Sequence, residues 1–197
     1  MRVHAYCKSW FWADRMTNNP ISEVEARRRH EKREEYTVVV GGFERPSAVI
    51  LLARGLVAIK HPDVLLRQPL VYHYEELTPN RLFLAMAIRR IYCPATEEMV
   101  ARMEAGRKQP DQPWAQFLAG VDTVTEGSSL IFEPDGSVLK KYEHFLYPYE
   151  YRDARFSWNT DGLWAPYPEF GEYDHLLALH PPLPWEPGLA ARGKRLN

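Results

Sequence analysis

Between Tyr36 and Ile59 three short runs of aliphatic and β-branched residues follow one another, and their punctuation limits what this stretch can become. Tyr36-Thr37-Val38-Val39-Val40 ends at Gly41-Gly42, Ala48-Val49-Ile50-Leu51-Leu52 ends near Gly55, and Leu56-Val57-Ala58-Ile59 ends at His61-Pro62. Three strands in a meander is the economical reading.

The same signal recurs on both sides. The aromatic-rich opening from Arg2 to Trp12 reads as a first strand starting almost at residue 1. Leu70 to Leu77, the turn Thr78-Pro79-Asn80, and Arg81 to Ile88 read as a hairpin. In its second arm the alternation of Leu82, Leu84, Met86 and Ile88 favours a strand although Ala, Met and Leu are good helix formers, and periodicity decides for the strand. Glu133-Pro134-Asp135-Gly136 between Ser129–Phe132 and Ser137–Tyr142 is the strongest turn signal and predicts a further hairpin.

Two short helices are expected around residues 96–120. Thr96 is a cap, Glu97 and Glu98 suit the first turn, Met99, Val100 and Met103 form a stripe, and Pro110 stops the helix. Pro113 to Ala119 predicts the second, closed by Gly120, with Trp114, Phe117 and Leu118 as a core stripe. Residues 20–35, dense in Glu and Arg, are either a solvated helix or a mobile loop. The expected fold class is therefore α+β: a single domain over residues 1–180, mainly antiparallel β-sheet, with a loop-rich C-terminal region. Residues 181–197 form a proline-rich, then basic, tail that should run extended over the surface.

Composition narrows the function classes. A length of 197 residues with 45% hydrophobic and 26% charged residues suits a folded domain, and a formal net charge of −1 removes a global basic field for nucleic acid. No apolar run approaches a bilayer span and the N-terminus has no signal-peptide apolar region, so a cytoplasmic protein without membrane attachment is expected. Cys7 and Cys93 are too few for a disulfide framework or zinc knuckle and read as reduced thiols.

No strong catalytic motif appears. Gly41-Gly42 precedes a strand rather than a helix, which argues against a phosphate-binding loop. His4 and Cys7 fall on opposite faces of a strand, and Glu172 with His175 makes two helix-compatible ligands but not a metal site; no cofactor or metal is expected. An enzyme reading, a hydrolase or nucleic-acid-processing domain, requires His73, Glu75 and His144 to meet across the sheet. An RNA-binding reading rests on Arg27, Arg28, Arg29, Lys140 and Lys141, although glutamates at helical spacing neutralise much of the arginine charge.

The most informative stretch runs from Trp158 to Asp174. From Glu143 to Asp174 seven carboxylates stand against Arg152 and Arg155, and aromatics beside carboxylates on loops suit a rigid protein-binding surface. A small α+β domain with this surface character around Tyr147 to His175, and no assembled active site, resembles the bacterial immunity proteins that neutralise polymorphic or contact-dependent toxins. The resemblance implies binding to a cognate toxin, an enzyme domain with a basic cleft, and occlusion of that cleft by carboxylates. The contact residues expected on this basis are Trp158, Asp161, Trp164, Tyr167, Glu169, Phe170, Glu172 and Asp174, with aromatics anchoring and acids pairing with toxin Lys or Arg. The competing reading buries Trp158, Trp164 and Phe170 under a C-terminal loop.

Overall fold

Strand β3 (Tyr36–Val40) is buried at all five positions, and each is paired: β3 lies between β1 (His4–Phe11) and β4 (Ala48–Ala53). A strand buried on both faces reads as an unbroken apolar run, which is why the Val38-Val39-Val40 segment was so legible. The structure, a computed structural model, describes residues 4–11, 16–107, 117, 120–178, 181 and 183–185.

The meander continues through β5 (Leu56–His61), β6 (Leu70–Thr78), β7 (Arg81–Tyr92), β8 (Val124–Phe132), β9 (Ser137–His144) and β10 (Glu150–Ser157), while β2 (Met16–Ile21) pairs outside β1. Among the described residues all eleven strands join one antiparallel sheet, ordered β10-β9-β8-β7-β6-β5-β4-β3-β1-β2, with β11 (Trp164–Pro166) on β7. The expected mainly antiparallel α+β architecture is what the chain adopts. Thr78-Pro79-Asn80 turns the β6–β7 hairpin with Asn80 at φ 60°, and Gly136 closes the β8–β9 turn at φ 88°, a backbone region that glycine occupies without a Cβ penalty.

The register shows how sequence alternation becomes a core. Val38, Ile50, Ile59, Tyr72, Ala87 and Leu130 are successive cross-strand partners from β3 to β8, and all are buried on one face, here termed inner. The row ends at Lys140, opposite Leu130, whose Nζ donates to the Pro184 carbonyl at 3.1 Å and the Trp185 carbonyl at 2.6 Å. The described residues 183–185 thus lie on the inner face, and Leu183 and Pro184 are buried there rather than extended over the surface as expected for this tail. The other described positions of the tail carry no regular structure.

Residues 20–35 contain a helix, α1 (Glu23–Glu31), not a loop. Ser22 accepts from the Glu25 N–H at 3.2 Å, and Ala26 is the one buried helix residue, packed with Tyr6 and Tyr36 on the inner face. Helix α2 (Glu97–Arg107) starts as predicted, with Thr96 Oγ1 accepting from the Met99 N–H at 3.2 Å. Its Met103 packs with Leu65 and Val121, flanked by Met99 and Val100. Of the predicted helix over 113–119 only Phe117 is among the described residues, packed against Gly106 of α2, and the rest lies outside them.

Cys7, Trp10, Val39, Val49 and Leu66 form a smaller cluster apart from the main core. Burial pushes the Cys7 thiol up to about 12, so it is inert, and neither cysteine is in a disulfide. Arg67, 7% exposed, ties this side together: Nε donates to Asp63 Oδ2 at 2.6 Å, Nη1 to the Cys93 carbonyl at 2.7 Å and the Val121 carbonyl at 3.3 Å.

Candidate interaction surfaces

The segment from Trp158 onward is a lid over the inner face. The Trp158 N–H donates to the Gly136 carbonyl at 2.8 Å, a single 3₁₀ turn spans Asp161–Leu163, β11 pairs with Arg81 to Phe83, and the short helix α3 (Asp174–Leu177) closes the segment. The loop-rich region therefore contains a strand and a helical turn. Leu163, Ala165, Tyr173, Leu176 and Leu177 are buried in the main core, and Trp158, Trp164, Tyr167 and Phe170 pack partly buried against it.

Each of three lid rings carries an arginine from another element. Arg27 of α1 stands 4.4 Å from the Phe170 centroid, Arg33 3.4 Å from Tyr167, and Arg81 of β7 4.8 Å from Trp164. Phe170 also stacks on Tyr6 at 5.5 Å, and Trp164 tilts against Phe83 at 4.9 Å. The four predicted acids on this segment, Asp161, Glu169, Glu172 and Asp174, are all exposed. The predicted contact residues thus divide by type: rings wedged into the core at one edge, carboxylates in solvent.

Beneath the lid a polar chain crosses the interior. His30 Nδ1 and the Tyr36 hydroxyl are 2.8 Å apart, and the Tyr36 and Tyr173 hydroxyls 3.1 Å. Burial raises both phenols, and burial followed by the Arg33 charge holds the His30 imidazole below its ordinary value. The rings of Tyr36, Tyr167 and Phe170 surround His30 at 5.7 to 6.0 Å.

The enzyme constellation does not assemble. His73 lies in the row Met86, Ile131, Leu139, whereas His144 is five positions farther along β9. Three strand spacings across and five residues along separate them by about 14 Å and about 17 Å respectively. Burial, then Lys60 and Arg90, lowers the His73 pKa, so basic neighbours rather than Glu75 set its charge environment.

The basic residues of the RNA reading are also dispersed. Arg28 bonds both Glu25 and Glu34, Arg29 bonds Glu25, Arg27 faces Glu23 at 3.5 Å, and Lys140 and Lys141 are adjacent on β9 and so point to opposite faces. Among the described residues no group of three or more His, Cys, Asp or Glu is placed to hold a metal ion, and no helix is long and apolar enough to cross a membrane.

One part of the stretch from Tyr147 to His175, named for its surface character, received no contact residues from the sequence. At the β9–β10 hairpin tip Tyr147 is 99% exposed, Tyr149 58%, Tyr151 49%, and Phe145 and Leu146 46% each. The cue was available: an aromatic run between two strands has no core to enter unless another element covers it.

Comparison with protein-family models, curated proteins and solved structures returns no match for this chain.

Proposed function

We propose that this protein is a stoichiometric inhibitor of the immunity type, which binds a cognate toxin domain and blocks its basic cleft with the acidic, aromatic lid. The observation that carries the reading is the division of labour on the lid. Trp158, Trp164, Tyr167 and Phe170 fix the backbone against the core, while Asp161, Glu169, Glu172 and Asp174 stand in solvent on that fixed backbone. Carboxylates held in place before binding lose less conformational freedom on association, and complementary charge speeds encounter with a cationic cleft. The partly exposed rings supply apolar contact between the acids.

The test is calorimetric titration of the full chain with the purified, catalytically inactivated product of the gene beside its own. One-to-one binding at nanomolar affinity, weakened about 100-fold or more by Glu169→Lys with Glu172→Lys, is the expected result. Binding that is absent, or indifferent to the double charge reversal, overturns the reading.

A further inference from the structure

The β9–β10 tip forms a second surface, distinct from the lid. The last cross-strand pair of the hairpin is Glu150 with His144, followed inward by Tyr151 with Glu143, so residues 145–149 project beyond the ladder. The tip is nonetheless anchored: the Phe145 N–H donates to the Thr125 carbonyl at 2.9 Å, and the Tyr149 hydroxyl to Glu143 Oε1 at 3.1 Å. The Phe145 ring lies over Gly127, where an added Cβ would come within 3.2 Å of it, and faces Tyr149 at 6.4 Å. Exposed aromatics on a backbone fixed in this way lose little entropy when they enter a partner.

Position separates this surface from the lid. His144 pairs with Glu126, and Glu126 with Ile91 near the end of β7, whereas the lid strand pairs with Phe83 eight residues earlier. Eight strand residues span about 27 Å, so the two surfaces sit toward opposite ends of the sheet.

We infer that the tip is an anchoring knob whose Tyr147, Tyr149 and Phe145 enter an apolar pocket rimmed by Lys or Arg on a partner protein. This rests on the reading of the chain as a protein-binding inhibitor and adds a second contact to it. The charge beside the rings selects the partner chemistry: Glu126, Glu143 and Glu150 flank the base of the tip with Arg152, which is engaged by Glu150 at 2.7 Å, while Asp153 lies farther back opposite Lys141. Carboxylates at the base of the loop disfavour an anionic lipid surface and a second copy of the same acidic tip.

The experiment uses the full chain, the same inactivated neighbouring gene product, and two variants: Tyr147→Ser with Tyr149→Ser at the tip, and Glu169→Lys with Glu172→Lys on the lid. The expected result is about 30-fold or greater weakening by the tip pair with an unchanged urea midpoint, together with hydrogen-exchange protection of residues 143–151 in the complex. Binding that responds to the lid pair but not to the tip pair overturns the tip assignment alone. No binding by the wild-type chain overturns both readings. Co-sedimentation with phosphatidylcholine vesicles that the tip pair abolishes, with partner binding intact, reassigns the tip to lipid and overturns the protein pocket.

Discussion

The hydroxyl of Tyr36, on β3 between β1 and β4, meets the hydroxyl of Tyr173, in the lid 137 residues later, at 3.1 Å inside the protein. This buried bond and the one from Tyr36 to His30 join three elements: β3, α1 and the lid. Tyr36→Phe takes a partner from both His30 Nδ1 and the Tyr173 hydroxyl and should cost about 1–3 kcal/mol, while Tyr173→Phe removes that hydroxyl's contacts with Tyr36 and the Gly171 backbone and should cost a similar amount. Urea unfolding of both single variants and the double should show a coupling of about 0.5 kcal/mol or more; strict additivity would mean that the hydroxyls do not interact.

His30 gives stability a pH dependence. Burial first, then Arg33, lowers its folded pKa below the ordinary 6.5, with Arg27 acting in the same sense and Glu31 against it. The unfolded chain then takes up the proton first, so stability falls as pH drops through about 6.5 and goes on falling until the folded imidazole is protonated. His73 is shifted in the same direction and adds to the slope. His30→Gln, which keeps a polar group without titrating, should flatten stability between pH 7 and 5, and His30→Gln with His73→Gln should flatten it further. Glu25, held at about 2 by Arg28 and Arg29, acts in a separate window below pH 4.5.

How much of this was legible depended on burial. The apolar runs of β3 and β4 and the alternation of β7 announced themselves because one or both faces are covered. Strands β2 and β10 did not, because an edge strand outside the core carries no such pattern: β10 is exposed from Glu150 through Arg155, and β2 contains Pro20. The chemistry of the candidate site was legible as residue types between 143 and 174. Which rings reach solvent was not, because Phe170 and Tyr147 differ only in what the fold lays over them.

Arg67 should be among the least replaceable charged residues. It is paired with Asp63 and satisfies two carbonyls from distant parts of the chain. Arg67→Ala removes the guanidinium from Asp63 Oδ2, while Asp63 Oδ1 keeps the Leu65 and Arg67 N–H groups, and leaves two carbonyls without that donor, an expected loss of about 1–3 kcal/mol. A thermal melt within a degree or two of wild type would contradict this.

Gly106 sets helix propensity against packing. Alanine in place of a helical glycine ordinarily stabilises by about 1 kcal/mol. Here a Cβ would lie 2.8 Å from Phe117 Cγ and Cδ2 and 3.3 Å from its Cβ, so rotating the ring does not clear the contact. Packing should win, and Gly106→Ala should destabilise by about 1–3 kcal/mol; a raised urea midpoint would show that Phe117 yields freely.

Strand β7 is shared, with β8 beside Met86 to Tyr92 and β11 beside Arg81 to Phe83. During synthesis the place beside Phe83 stays vacant until Trp164 emerges from the ribosome, 81 residues later. At typical elongation rates that interval is about 4–16 seconds, during which the lid residues that meet Tyr36 and Phe83 are not yet available. A chain terminated before Trp164 lacks β11 and the buried Ala165, Tyr173, Leu176 and Leu177, and so presents the quality-control machinery with the apolar surface they cover.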